Sequence, residues 1–263
     1  MNKYLLACGV SAVFSCVVPT ALAITNIENE RPNLPDEGLS GSVKLGLGGK
    51  TGDEEQETYE GAAKILYRQG DEIFLGLFAR EYGSDHGEKD TDNSFIHGRW
   101  THLLSERWGI EGFGQWEKNQ FKNLTSRLLA GGGGRFIVAQ QHDVYAFAVG
   151  AGAFREFEKL DLVSYEEYNR LWRVNSYYSY NYQINPQVSL VNTTYYQPAA
   201  SQWEDFRVLF DVGFDVKLSS SLQLRLNYRM TYDSEPAQNL NLPEPIDNHK
   251  RNTEYKTAIS YSF

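Results

Sequence analysis

The sequence predicts an all-β protein, a transmembrane antiparallel up-and-down β-barrel of about 12 strands (about 10 to 14), with short periplasmic turns and longer external loops. Three observations predict it: long segments of alternating apolar and polar residues, an odd–even pattern in connection lengths, and two ends typical of an exported protein. After residue 18 the chain has no long apolar run. A bundle of transmembrane helices is therefore excluded.

The alternation is clearest over residues 203–232. From Phe206 onward every second residue is apolar, while residues such as Arg207 and Asp211 lie between them, and the pattern resumes after the turn at 219–221. Because successive side chains of a strand point to opposite faces, each arm has one apolar and one polar face. Each arm also exceeds the usual soluble strand and suits the about 9–11 residues of a tilted membrane strand.

Similar segments fill the rest of the chain. The predicted strands cover residues 39–50, 58–68, 73–82, 94–104, 108–117, 124–138, 143–157, 168–182, 187–196, 203–218, 222–232 and 253–263. Connections after even-numbered strands are short, whereas those after odd-numbered strands are longer and polar, including 83–92 and the longest, 234–252. Short turns on one side and longer loops on the other are typical of outer-membrane barrels, and a soluble sandwich gives no reason for them.

The N-terminal residues predict export. Lys3, an apolar run over 4–18 and an Ala-Leu-Ala site indicate a signal peptide, residues 1–23, cleaved after Ala23. Residues 24–37 are polar and predict a periplasmic lead-in, and 38–263 form the barrel domain. Both cysteines fall within the signal peptide, so the exported chain has no disulfide.

Charge and the C-terminal residues constrain location and partners. Without Lys3, 24 basic and 34 acidic residues remain, a net charge of −10, which argues against binding to nucleic acid.

The last strand alternates to a terminal Phe263. This resembles the C-terminal signature of bacterial outer-membrane proteins, which implies recognition by the barrel assembly machinery. We expect a monomer in the bacterial outer membrane, surrounded by lipid and lipopolysaccharide.

The odd or even position of each residue along its strand assigns its side chain to one of two faces. The predicted lipid face, besides the 203–232 series, contains Val43, Leu45, Leu47, Ile73, Leu75, Leu77, Trp100, Ile110, Trp116, Tyr145, Phe147, Val149, Trp172, Tyr178, Tyr180 and Tyr182. A soluble core would produce the same alternation, but so many long segments would need a second sheet to cover them.

The opposite face is charged and rich in arginine. The predicted lumen-lining residues are Lys44, Lys64, Arg80, Arg99, Glu111, Glu117, Arg127, Arg135, Arg173, Asp205, Arg207, Asp211, Asp215, Lys217, Arg225 and Arg229. One interpretation is a porin-like passage whose basic wall favours anionic solutes such as acidic sugars. The alternative is a non-conducting structural barrel, closed by pairs of arginine and carboxylate. The sequence does not distinguish between these two interpretations.

No motif indicates catalysis. His97 and His102 lie on one predicted strand with opposite parity, and no local Ser-His-acid signature accompanies the five histidines. An outer-membrane hydrolase is therefore the third and least favoured interpretation, and we predict no enzyme, catalytic residue, metal site or cofactor. The glycines at 131–134, 150 and 152 predict close strand approach or bending.

Residues 113–136, FGQWEKNQFKNLTSRLLAGGGGRF, resemble the salt-induced outer-membrane protein family (YdiY-like). Residues 150–156, GAGAFRE, and 44–52, KLGLGGKTG, are also similar to it, although Asp53 stands where the family often has asparagine. The resemblance implies an outer-membrane barrel of unknown role and carries over no catalytic residue.

Overall fold

The computed structural model describes residues 26–31, 35–50, 56–119, 124–141, 144–161, 166–236, 238–239, 246–247 and 249–261. The predicted signal peptide and Phe263 lie outside the described residues.

The described residues form one large antiparallel sheet. Its twelve strands pair in chain order, from β1 to β11 and then β14. The strands are β1 (Gly38–Lys50), β2 (Gln56–Gln69), β3 (Glu72–Asp85), β4 (Glu88–Leu103), β5 (Trp108–Asn119), β6 (Leu124–Gln141), β7 (Tyr145–Asp161), β8 (Glu166–Asn185), β9 (Val188–Ala199), β10 (Gln202–Lys217), β11 (Leu222–Asp233) and β14 (Arg251–Tyr261). The all-β, antiparallel, up-and-down prediction is confirmed.

Outside the large sheet, β12 (Gln238–Asn239) pairs with β13 (Ile246–Asp247) within the loop that precedes β14. A single 3-10 turn, Glu28–Glu30, precedes β1. Within the described part of the chain, no helix has the length and apolarity to cross a membrane.

The strands are longer than predicted at the end opposite the chain termini. β3 and β4 pair as far as Asp85 with Glu88, around a tight turn in which His86 has a φ of 50° and Gly87 a φ of 76°. The prediction of a polar loop at 83–92 was therefore wrong, and the β9–β10 connection is also only residues 200–201. The reason is physical: beyond an apolar band, a strand can continue in polar residues without losing its backbone hydrogen bonds.

Burial along β10 confirms the alternation and shows that it is inverted relative to a soluble protein. Arg207, Asp211 and Asp215 are buried, whereas Phe214 on the other face is 44% exposed. We call the face of Asp211 the inner face and that of Phe214 the outer face. An apolar outer face around a polar interior is what a membrane strand requires.

On β3 the predicted faces were wrong. Ile73 and Leu75, assigned to the lipid face, are buried with Leu66 and Ile27 on the inner face, and Leu77 packs against them. The outer positions are Phe74 and Phe78, each 47% exposed. Residues on both faces of this strand are apolar, so alternation does not distinguish the two faces.

Residues 26–31, the N-terminal segment, show that the sheet curves strongly. Asn29 Nδ2 donates to Asp211 Oδ1 on β10 at 2.7 Å, while the next residue, Glu30, lies 3.6 Å from Lys64 Nζ on β2. In a flat sheet these strands would lie about 38 Å apart, at about 4.8 Å per strand. One short segment can contact both only from the concave side.

The edge strands β1 and β14 approach each other. In the described part of the chain, however, no ladder of hydrogen bonds joins them. Closure of the barrel therefore stays a prediction.

Candidate functional site

The N-terminal segment places a carboxylate in the middle of the interior. Glu28 Oε1 accepts from Arg99 Nη1 of β4 at 2.7 Å, and its Oε2 accepts from Arg135 Nη1 of β6. Arg31 Nη1 lies 3.4 Å from the same carboxylate. Glu28 itself is fully enclosed, so three guanidinium groups surround one buried anion.

A second acid completes this group. Glu111 of β5 lies 2.5 Å from Arg31 Nη2 and 3.3 Å from Arg99 Nη1. The Tyr177 hydroxyl of β8 accepts from Arg135 at 3.2 Å and donates to Glu111 at 3.3 Å. We call Glu28, Arg31, Arg99, Glu111 and Arg135 the Glu28 site, whose formal charge is +1.

The electrostatics of the site keep Glu28 ionised. Burial raises the pKa of the Glu28 carboxyl, but the charges of Arg135, Arg31 and Arg99 outweigh burial and lower it to about 2. At neutral pH the hydrogen bonds to Glu28 therefore join an ionised carboxylate to ionised guanidinium groups.

Close backbone approach makes room for this arrangement. A Cβ built on Gly150 of β7 would overlap the ring of Tyr177, and one on Gly133 would meet the backbone of Ala151 and Gly152. The prediction of close strand approach at these glycines is confirmed.

A second network fills the neighbouring part of the interior around Glu156 of β7. Arg173 Nε of β8 donates to it at 2.7 Å, and Arg207 Nη1 of β10 donates at 2.6 Å. Arg173 also forms a two-pronged pair with Asp205, at 3.0 and 3.1 Å. Arg127 Nε of β6 lies 3.4 Å from Glu156. We call Arg127, Glu156, Arg173, Asp205 and Arg207 the Glu156 network; all are buried.

Two further pairs link β10 to β11. Asp215 accepts from Arg225 Nε and Nη2 at 2.5 and 2.6 Å. Asp211 accepts from Arg229 Nε at 2.6 Å. The Arg229 guanidinium also lies 3.7 Å from Glu254 of β14. The sequence had placed these β10 and β11 residues on a common face, and the register pairs them directly.

A cavity of about 360 Å³, the side cavity, lies between the N-terminal segment and the wall formed by β1–β4 and β11. It is lined by Asn26, Ile27, Asn29, Glu30, Ser42, Ala62, Ala63, Lys64, Leu77, Phe78, Ala79, Phe95, Arg225, Asn227 and Arg229. The side-chain amide nitrogen of Asn26 is buried and has no hydrogen-bond partner among the described residues. The space would hold a molecule of about monosaccharide size, since ligand pockets measure about 300–1,000 Å³.

The structure thus distributes the predicted lumen residues among three groups. Arg99, Glu111 and Arg135 belong to the Glu28 site, and Arg127, Arg173, Asp205 and Arg207 to the Glu156 network, with Glu117 2.6 Å from Arg127. Lys64, Arg225 and Arg229 line the side cavity, and Asp215 and Asp211 pair with the two arginines.

Three of the predicted residues fall elsewhere. Arg80 lies on the outer face with Phe78 and pairs with Asp92 at 2.5 Å, so its assignment to the lumen was wrong. Its strand is β3, where alternation misassigned the faces. Lys217 is exposed at the end of β10, and the side chain of Lys44 lies outside the described part.

The two histidines of β4 lie on opposite faces of the sheet. His97 is buried on the inner face with its Nδ1 3.1 Å from Gln115. His102 lies on the outer face, 2.7 Å from Glu72. The opposite parity that the sequence assigned to this pair is confirmed.

Sequence reasoning missed the residues that bring these groups together. The N-terminal segment has no periodic pattern, and it was predicted as a periplasmic lead-in, a location that stays a prediction. Glu156 and Tyr177 could have been found, because alternation along β7 and β8 places them on the inner face beside Phe154 and Arg173.

Comparison with solved structures identifies the fold. A structure of the NanC porin is 11% identical, covers 86% of this chain and 98% of its own, and has a TM-score of 0.51. The translocator domain of the autotransporter NalP from Neisseria meningitidis is 11% identical, covers 87% of this chain and 90% of its own, with a TM-score of 0.50. At this identity the likeness is one of fold.

Comparison of sequences gives the family. No curated protein matches the chain. The family model described as "Protein of unknown function, DUF481" matches residues 43–263. The chain therefore belongs to the DUF481 family.

Proposed function

We propose that the protein is a porin-like channel of the bacterial outer membrane, that its sheet closes through β1 and β14, and that it favours anionic solutes such as acidic sugars. The apolar outer face and charged interior support membrane insertion, and the likeness to a porin supports the barrel. The proposal includes export by the signal peptide, recognition of the C-terminal strand by the barrel assembly machinery, and a monomer surrounded by lipid and lipopolysaccharide. It also places the chain among the salt-induced (YdiY-like) outer-membrane proteins.

The single observation that carries the solute preference is the orientation of ion pairs around the side cavity. The Arg225 side chain is 29% exposed and its partner Asp215 only 8%; Arg229 is 17% exposed and Asp211 0%. In both pairs the cation faces the cavity and the anion lies behind it. A wall of this kind attracts anions although the pairs are formally neutral.

Recording in planar bilayers with a salt gradient tests the proposal. We expect discrete conductance with a reversal potential on the anion-selective side. Arg225→Gln should move the reversal potential toward that of a non-selective channel, whereas Arg170→Gln, the same change on the outer face of β8, should not. Absence of any discrete conductance would contradict the channel.

A second candidate is a non-conducting structural barrel, and the Glu156 network favours it. Its buried cations and anions join β6, β7, β8 and β10 across the interior, as expected where side chains fill a barrel. This candidate predicts an intact barrel without current, and a role in the envelope that depends on the loop 234–252.

A further inference from the structure

We propose that Arg99 and Arg135 form a binding site for a solute carboxylate, which Glu28 occupies in the resting protein, and that the N-terminal segment is therefore a displaceable plug. This inference rests on the proposed channel and specifies both its ligand chemistry and its regulation.

The first argument is how the plug is held. In the described residues its backbone-to-backbone hydrogen bonds are internal, from the Glu30 N–H to the Ile27 carbonyl and from the Arg31 N–H to the Glu28 carbonyl. It meets the wall through side chains: Glu28 contacts two arginines, and Asn29 contacts Asp211 and Thr193 at 2.7 and 3.1 Å. A segment attached through side chains can leave without breaking a strand ladder.

The second argument is charge. If the N-terminal segment leaves, Glu28 and Arg31 leave together, and Arg99, Arg135 and Glu111 remain with a net charge of +1. One carboxylate, Glu111, then remains beside two buried guanidinium groups, and one further carboxylate without an accompanying cation would make the group neutral. Since an uncompensated buried charge is costly, exchange of Glu28 for a solute carboxylate is favoured over its exchange for a neutral solute.

The third argument is space. Asn26, Ile27, Asn29 and Glu30 line the side cavity, so the plug borders an open volume along most of its described length. Glu28 lies in the chain between Ile27 and Asn29, and Arg225 and Arg229 line the same cavity, so a solute carboxylate attracted by these arginines is brought beside the plug.

Displacement can be measured separately from current. The exported chain has no native cysteine, because Cys8 and Cys16 lie in the predicted signal peptide. Asn29→Cys in lipid vesicles is therefore a single reporter, whose rate of modification by a charged thiol reagent follows release of the plug. The probes are glucuronate and glucose, which share a ring and differ in the carboxylate. Should this variant misfold, Glu30→Cys provides the same reporter.

We expect glucuronate, and not glucose, to accelerate modification. Adding Glu28→Gln should raise the basal rate by about tenfold, the change expected when a charge-assisted contact is lost, and remove the response to glucuronate. Glu37→Gln is the matched control, because Glu37 precedes β1 and pairs with Arg68 in an exposed position; it should behave like the parent.

The outcomes separate the two proposals. Equal modification rates with glucuronate, with glucose and after Glu28→Gln would overturn the plug, even if the protein conducts. The expected modification pattern in a protein that never conducts would retain the carboxylate site and overturn the channel.

Discussion

The two halves of the interior use similar residues in different ways. Around β6–β10, the Glu156 network is buried and densely paired, and Arg173 is shared by Glu156 and Asp205. Around β1–β4 and β11, Arg225 and Arg229 each pair with a carboxylate of β10 and line the side cavity. The N-terminal segment lies between the halves. For the proposed channel, this difference means that the first half stabilises the sheet and the second half lines the passage.

The largest expected effect comes from removing an arginine on the paired side. Arg173→Met leaves the buried Asp205 carboxylate without its arginine and removes one of the arginines around Glu156, and should lower the free energy of unfolding by about 3–5 kcal/mol. Arg225→Met, the same change beside the side cavity, should cost less, because the Arg225 side chain is 29% exposed and solvent screens its pair. Denaturant unfolding in detergent measures both. Equal losses would remove the distinction between the halves.

Gly150 leaves room for the Tyr177 ring beside the Glu28 site. In Gly150→Ala the new methyl group would overlap the Tyr177 ring, and Tyr177 would lose its place between Arg135 and Glu111. We expect a loss of about 1–3 kcal/mol, typical of overpacking, by the same denaturation. Gly76→Ala is the control, because a Cβ there meets no atom within 4 Å. An unchanged free energy of unfolding for Gly150→Ala would mean that the strands move apart to accommodate the methyl group at little cost.

Filling the side cavity should reduce current with little loss of stability. Ala62→Trp places an indole in the cavity, and because pore width sets conductance we expect a fall by about half or more. Ile65→Trp is the control, because Ile65 lies on the outer face of the same strand, is 59% exposed and does not line the cavity. Single-channel recording of both variants is the measurement. If Ala62→Trp conducts like the parent, the passage lies elsewhere.

The smallest expected effect is that of mild acid on the plug. The pKa of Glu28 is lowered from 4.5 to about 2, so its contribution to docking is complete above about pH 4.5 and is lost as the pH falls toward 2. The ratio of parent to Glu28→Gln current should therefore stay constant from about pH 7 to 5 and rise only below about pH 4. A ratio that changes between pH 7 and 5 would exclude Glu28 as the controlling group.

The sequence predicted the strands well and the interior in part. Along β10 and β11 one parity is apolar and the other polar, so Asp211, Asp215, Arg225 and Arg229 were correctly grouped. On β3 both parities are apolar, so Ile73 and Leu75 were assigned to lipid although Ile27 covers them inside.

The docking of the N-terminal segment could not be predicted. Its six described residues have no periodicity, and their position depends on contacts with strands far apart in sequence. Burial of Glu28 also depends on three arginines, from the segment itself and from β4 and β6, meeting at one point. No local sequence pattern predicts that these three arginines contact Glu28.

Cysteine accessibility during conduction tests most directly whether the passage follows the side cavity. Ser42→Cys lines the cavity on β1, and Asn175→Cys lies on the paired side on β8. A charged thiol reagent added during bilayer recording should reduce the current through Ser42→Cys and leave that through Asn175→Cys unchanged. Block of Asn175→Cys alone, or equal block of both, would contradict the assignment of the two halves.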